Sequence, residues 1–298
     1  MGSELTPFRL SDQYLSERHL GDEPRLVFLH ANGYPPGSYR QLLEGLAGRF
    51  RVDTIEHRPL WSKNHAPKRL DWQVYADDLL MSLEKNIDAP VWLVGHSMGA
   101  VVSMLAAAQR PDLVTGLVAI DPVLLPLKFW LPMQLMARLF AYELPMAKVA
   151  LNRPHRFAHV DEAFTFYRAK RPFRRLSDQS LWDYVHAGHE QAADGGIRLR
   201  WSGAWEACVY RSAPSIFRKL KAMRAPLLGI VGRESDVITP ELVKLWQAAM
   251  PALAVEQLEG GHLLPLEAPA ECAQRVITFI DQYLSVGQAM NSVEREKR

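Results

Sequence analysis

The sequence predicts an α/β fold, a mostly parallel central sheet flanked by helices, with a mainly helical cap inserted after the sixth strand. Three observations predict it. Five runs read as buried strands, Leu26 to Leu29, Val52 to Ile55, Val91 to Val94, Val114 to Ile120 and Leu227 to Val231, and all but Val52 to Ile55 are almost continuously apolar rather than alternating. Strands covered by helices on both faces read this way. Helical candidates at residues 39–47, 72–86, 98–109, 241–250 and 269–284 lie between or after them, and such alternation implies parallel pairing. The rhythm then fails from Pro122 to about Ser212 and resumes at Leu227, as an insertion would make it.

Each element has a local reason. In residues 72–86, Trp72, Tyr75, Leu79, Leu80 and Leu83 recur at helical spacing, while Asp77, Asp78 and Glu84 fall off that stripe. Ala89 to Gln109 is 21 residues without Asp, Glu, Lys or Arg, long enough to suggest a membrane span. Its interior argues otherwise: a β-branched and aromatic run at 91–94, a glycine-bounded turn at 95–99, then an Ala-rich helical stretch. Pro122 to Ala147 is broken by Pro126, Lys128, Pro132, Arg138 and Glu143, so it spans nothing. The expected organisation is a core domain of residues 1–121 and 213–285, a helical cap over 122–212 and a flexible tail over 286–298. Residues 122–213 hold 13 Lys and Arg against 8 Asp and Glu, while the remainder holds 22 against 25, so the insertion carries the positive excess.

Composition removes several function classes. The 298 residues have a formal net charge of +2, which gives no general field for nucleic acid or an anionic membrane. The two cysteines, Cys208 and Cys272, lack metal or redox spacing and fit a reducing compartment. The N-terminus lacks a secretory signal, so the expected location is cytoplasmic without integral membrane association. Gly2 and Thr6 match a loose N-myristoylation pattern, but one acyl chain binds membranes only marginally. Self-association as a homodimer is left open.

Gly95-His96-Ser97-Met98-Gly99 fits G-x-S-x-G between an expected strand and an expected helix. Glycines two residues either side let strand and helix close around a strained serine, and the following helix aims N–H groups at a developing oxyanion. A serine hydroxyl needs a histidine base oriented by a carboxylate. Of ten histidines, His262 lies in a glycine-flanked loop after a possible last strand, Ala254 to Leu258. Asp236 follows the strand Leu227 to Val231, and the order Ser97, Asp236, His262 is that of the sheet hydrolases. Asp121, ending the strand before the insertion, is the second choice of acid. His96 is read as packing or hydrogen-bonding in the turn and His30 as ordering its loop.

At these residues the chain resembles the α/β-hydrolase superfamily over residues 5 to 285. His30-Ala31-Asn32-Gly33, GHSMG, the IDP at 120–122, GRESD and GGH followed by LEAP carry the resemblance. It implies an α/β-hydrolase fold and an oxyanion hole from the backbone N–H groups of Asn32 and Met98, although Asn32 could also use its side-chain amide. Ala31 stands where relatives usually have glycine, and Arg58-Pro59-Leu60-Trp61 replaces a common arginine-glycine turn.

The expected activity is a carboxylesterase, cleaving an ester or thioester of a small to medium apolar acyl substrate with no cofactor or metal. Phe129, Trp130, Met133, Leu135, Met136, Phe164, Phe166, Tyr167 and Trp182 are candidates for the acyl site. The same triad also supports carbon–carbon bond hydrolysis, and the same fold serves receptors with little turnover.

Overall fold

The computed structural model describes residues 8–9, 23–61, 65–139 and 143–296. Among these residues there are ten strands: β1 (Phe8–Arg9), β2 (Arg25–Leu29), β3 (Arg51–Ile55), β4 (Val91–His96), β5 (Val114–Ile120), β6 (Arg156–Phe157), β7 (His189–Gln191), β8 (Ile197–Leu199), β9 (Leu227–Gly232) and β10 (Ala254–Leu258). Helices α1 (Arg40–Ala47), α2 (Gln73–Asn86) and α3 (Met98–Gln109) come before the insertion. Within it lie α4 (Leu127–Leu139), α5 (Pro145–Leu151), α6 (Val160–Arg168), α7 (Asp178–Gly188) and α8 (Gly203–Ser212). After it come α9 (Phe217–Leu220), α10 (Pro240–Ala249), α11 (Leu264–Glu267) and α12 (Pro269–Glu296).

Seven strands form the central sheet in the order β1-β3-β2-β4-β5-β9-β10, with every pairing parallel except that of β1 with β3. Alternate residues of each strand feed opposite cores. Val27, Leu29 and Leu93 join a cluster with α2, α3 and α10, whereas Leu26, Phe28, Trp92 and Val94 face α1 and α12. Burial on both faces is why the strands read as apolar runs. The charge-free stretch 89–109 is β4, a turn and α3. No helix of the described residues is long and apolar enough to cross a membrane.

Between β5 and β9 the chain is mainly helical, with β6, β8 and β7 forming a small antiparallel sheet among those helices. Strands of two or three residues carry no readable period, which is why the pattern gave none. Local capping fits its helices: Ser177 Oγ accepts the Ser180 N–H at the start of α7, and Ser202 Oγ accepts the Trp205 N–H at the start of α8. The residues expected as a tail continue α12 to Glu296, and Gly2 and Thr6 lie outside the described residues.

The insertion shares the central clusters rather than packing on itself alone. Trp201, Trp205 and Cys208 belong to one, and Phe157, Tyr167, Tyr184 and Ile197 to the other. Polar ties fix it further. Arg40 pairs with Asp183 at 2.8 Å, Arg200 with Glu56 at 2.9 Å, and Trp72 Nε1 donates to the Val209 carbonyl at 3.2 Å.

Candidate active site

Ser97 sits between the end of β4 and the start of α3 with φ 54° and ψ −114°. This left-handed φ is unusual for a residue with a side chain and is a strained conformation. Its surroundings demand glycine. A Cβ on Gly95 would lie 2.5 Å from the Gly99 carbonyl, and one on Gly99 would lie 2.1 Å from the Leu29 carbonyl oxygen. The two glycines therefore let β4, α3 and β2 approach closely enough to hold the serine at the sheet's C-terminal edge. Its N–H is bonded to the Ile120 carbonyl at 3.0 Å.

His262 comes from the loop between β10 and α11. Its Nε2 is 3.0 Å from Ser97 Oγ and its Nδ1 is 2.6 Å from Asp121 Oδ2. With a carboxylate opposite, Nδ1 carries the hydrogen, which leaves Nε2 to accept from the serine hydroxyl. The sequence reading preferred Asp236 as the acid; the structure brings Asp121 to the histidine instead. Asp121 follows β5 with φ 43° and is fully buried. Its Oδ1 accepts the Gly232 N–H at 3.0 Å and its Oδ2 the Ser235 hydroxyl at 2.6 Å. Ser235 Oγ also accepts the N–H groups of Val237 and Ile238, and this tight turn after β9 leaves Asp236 exposed. Ser235 was not singled out from sequence, since only its contact with a residue 114 positions away gives it a role.

The loop after β2 contributes Asn32. Its side-chain Nδ2 donates to the Glu206 carbonyl at 3.1 Å, so that amide is engaged with the inserted segment. The Asn32 backbone N–H has no hydrogen-bond partner among the described residues. The Met98 N–H, first in α3, has no intrahelical acceptor. These two N–H groups are the donors the resemblance implied, with the backbone of Asn32 rather than its side chain left free.

Below the loop runs a relay that the sequence did not reveal. The Ala31 N–H donates to Tyr39 Oη at 3.1 Å, Tyr39 Oη is 2.8 Å from His96 Nδ1, and His96 Nε2 is 2.8 Å from the His262 carbonyl. Because that carbonyl only accepts, His96 carries its hydrogen on Nε2 and accepts from the tyrosine on Nδ1. The relay ties the loop after β2 to the loop that carries His262. Burial holds His96 well below the usual histidine range, and the neighbouring His262 adds to this. His30 is likewise depressed, by burial and then by His57, and its Nε2 accepts the His57 N–H at 3.2 Å. The His96 contacts are hydrogen bonds at the turn, and those of His30 lie within its own loop and at His57. Burial lowers His57 to about 4.

A family model described as "Alpha/beta hydrolase family" matches residues 26–275. The chain belongs to the alpha/beta hydrolase family. A 2-(acetamidomethylene)succinate hydrolase of Mesorhizobium japonicum is 26% identical over 269 residues, 90% of this hydrolase and 91% of the relative. Monoglyceride lipase of Mus musculus is 34% identical over 125 residues, but the match spans 38% of this chain and 41% of the lipase. Among solved structures, that of an E-2-(acetamidomethylene)succinate hydrolase superposes with a TM-score of 0.71 at 22% identity, covering 88% of this chain and 92% of the other. An enol-lactonase from Burkholderia xenovorans LB400 gives a TM-score of 0.61 at 19% identity, covering 89% and 94%. At such identities the structural likeness bears on fold alone.

The residues expected to form the hydrolase's acyl site are differently situated. Phe129 is 59% exposed beside Lys128. Trp130 and Met133 are half-buried, and Trp130 Nε1 donates to the Ala213 carbonyl at 2.9 Å. Phe166 packs on Phe157 under Lys170, and Trp182 stacks on Phe164 with centroids 4.2 Å apart. Against the loop after β2 the inserted segment instead presents Glu206, whose carboxylate is met by Arg153 and Tyr210. Burial pushes the Glu206 carboxyl above its ordinary range, opposed by Arg153. Among the described residues, no group of three or more His, Cys, Asp or Glu is disposed to hold a metal.

Proposed function

We propose that this alpha/beta hydrolase is a serine hydrolase that cleaves a carboxylic ester or thioester through an acyl-enzyme, with Ser97 as nucleophile, His262 as base and Asp121 as the acid that orients it. The observation that carries the reading is the line of contacts at 3.0 Å from Ser97 Oγ to His262 Nε2 and 2.6 Å from His262 Nδ1 to Asp121 Oδ2. Ser97 Oγ forms a bond to the substrate carbonyl carbon as its proton passes to His262 Nε2. The oxyanion takes hydrogen bonds from the N–H groups of Asn32 and Met98. His262 then gives its proton to the leaving oxygen or sulfur, and the alcohol or thiol departs. A water, deprotonated by the same nitrogen, attacks the acyl-enzyme and releases the acid with Ser97 reprotonated.

The half-buried Trp130, Met133, Phe166 and Trp182 are the candidates for an apolar acyl wall, whereas Phe129 is too exposed to serve alone. A second reading, a substrate bearing polar groups, is favoured by Glu206 beside Asn32, with Arg153 and Tyr210 on its carboxylate, and by the substrate named for the relative that aligns with 90% of this chain. The test is hydrolysis of p-nitrophenyl esters of graded chain length, with and without a terminal carboxylate, by the wild type and Ser97→Ala, together with fluorophosphonate labelling. Labelling and turnover that both vanish in Ser97→Ala are expected. Undiminished turnover in that variant would eliminate the serine mechanism.

A further inference from the structure

Resting on that serine-hydrolase reading, we propose that Arg153 and Glu206 are positioning residues for the oxyanion hole: the inserted segment, through the Glu206 carbonyl, holds Asn32 so that its backbone N–H faces the reacting carbonyl.

The loop is pinned from two sides. From the body, Tyr39 Oη takes the Ala31 N–H at 3.1 Å. From the insertion, the Glu206 carbonyl takes the Asn32 side-chain amide at 3.1 Å across 174 residues of chain. The next residue, Gly33, has φ +79°, a conformation that glycine enters and leaves freely. Without the second tie, the peptides on either side of Asn32 have a ready hinge. The Glu206 carboxylate reinforces the point, because a Cβ on Gly33 would lie 3.5 Å from its carboxyl carbon.

Glu206 lies in the first turn of α8, and the groups around its carboxylate fix its backbone. Arg153 Nη2, from the connection between α5 and β6, lies 2.6 Å from Glu206 Oε2, and Tyr210 Oη donates to Oε1 at 3.3 Å. Arg153 in turn reaches Tyr184 Oη and the Trp201 carbonyl, each at 3.4 Å. The two side chains of the ion pair are only 14% and 12% exposed. A pair this buried is costly to desolvate and often no better for stability than apolar residues of the same size, so its position against the oxyanion loop asks for a role beyond cross-linking. Arg153 Nε and Asn32 Oδ1 are also buried without hydrogen-bond partners among the described residues, and buried polar atoms left so ask for an explanation.

Steady-state kinetics of the full chain test the proposal, with Arg153→Met/Glu206→Gln removing both charges at similar volume and Tyr210→Phe loosening the carboxylate alone. The expected result for a folded double variant is kcat down by about 10- to 100-fold, as for a reacting group displaced by a fraction of an ångström to an ångström, with KM changed by less than about threefold. Affinity for a trifluoromethyl ketone, whose adduct places an oxyanion in the hole, falls by the same factor, and affinity for the product acid does not. Tyr210→Phe, which leaves no charge unpaired, is expected to move kcat in the same direction by a smaller factor and covers the case in which the double variant does not fold. Wild-type kcat in both folded variants would overturn the proposal. So would a rise in KM with kcat intact, which would make Arg153 a binding group for an anionic substrate. Turnover surviving in Ser97→Ala would bring down the serine reading itself, whereas loss in Ser97→Ala with wild-type kcat in the other variants would remove this inference alone.

Discussion

Replacing Asp121 by asparagine is the sharpest perturbation of the site, because it changes a charge without changing a volume. The carboxylate is fully buried and accepts three hydrogen bonds: from the Gly232 N–H at 3.0 Å, from Ser235 Oγ at 2.6 Å and from His262 Nδ1 at 2.6 Å. Gly232 offers only a donor, so the new amide oxygen is held there and the amide nitrogen falls opposite Nδ1. His262 must then present Nδ1 as an acceptor and carry its hydrogen on Nε2, facing Ser97 Oγ, where it cannot take the serine proton. Losing the correct tautomer with geometry intact costs about 10,000-fold in kcat in serine triads, or about 5 kcal/mol of barrier. Asp236→Asn, at an exposed position, should change activity by no more than about twofold. Initial rates on a p-nitrophenyl ester, with circular dichroism to establish folding, decide between them. A folded Asp121→Asn enzyme with near-normal kcat, or a comparable collapse in Asp236→Asn, would refute the assignment of the acid.

Two further perturbations follow from the buried groups. His57 is held near 4 by burial, against 6.5 when free. The unfolded chain therefore takes up a proton that the folded chain refuses, so its contribution is complete above about pH 6.5 and declines as pH falls toward 4, by about 2 kcal/mol at pH 5. His30 and His96 act in the same direction. Urea midpoints should thus drop between pH 7.5 and 5, and midpoints that stay level or rise would show that these histidines are not held neutral. Tyr39→Phe leaves the Ala31 N–H and His96 Nδ1 unpaired in the interior, at a cost of about 2 kcal/mol. Thermal melts should register that loss, and fluorophosphonate labelling of Ser97 should slow as both loops relax; unchanged labelling would mean the relay supports only the fold.

The legible parts of this protein were those whose cause is local. Continuous apolarity at 26–29, 91–94, 114–120 and 227–231 follows from strands buried on both faces, and these runs appear as β2, β4, β5 and β9. Gly95 and Gly99 flank Ser97 because any Cβ there would strike backbone within 2.5 Å, so the turn is written in the residues that make it. The short strands β6, β7 and β8 were invisible because two or three residues carry no period and are stabilised by pairing with distant chain.

By itself the sequence determined the fold class and pointed to the turn at Ser97 and the loop at His262, since each depends on residues near one another in the chain. The tertiary structure alone decided which carboxylate meets His262. Asp121 and Asp236 both follow parallel strands at the same edge of the sheet, and a motif read in one dimension cannot rank them. The choice came from the turn after β9, where Ser235 and Gly232 bind Asp121 and leave Asp236 in solvent. The same holds for Glu206, which folding carries to Asn32, for Arg153, which it carries to Glu206, and for Tyr39, which it carries to His96. These contacts join residues many tens of positions apart, which packing sets and local pattern does not record.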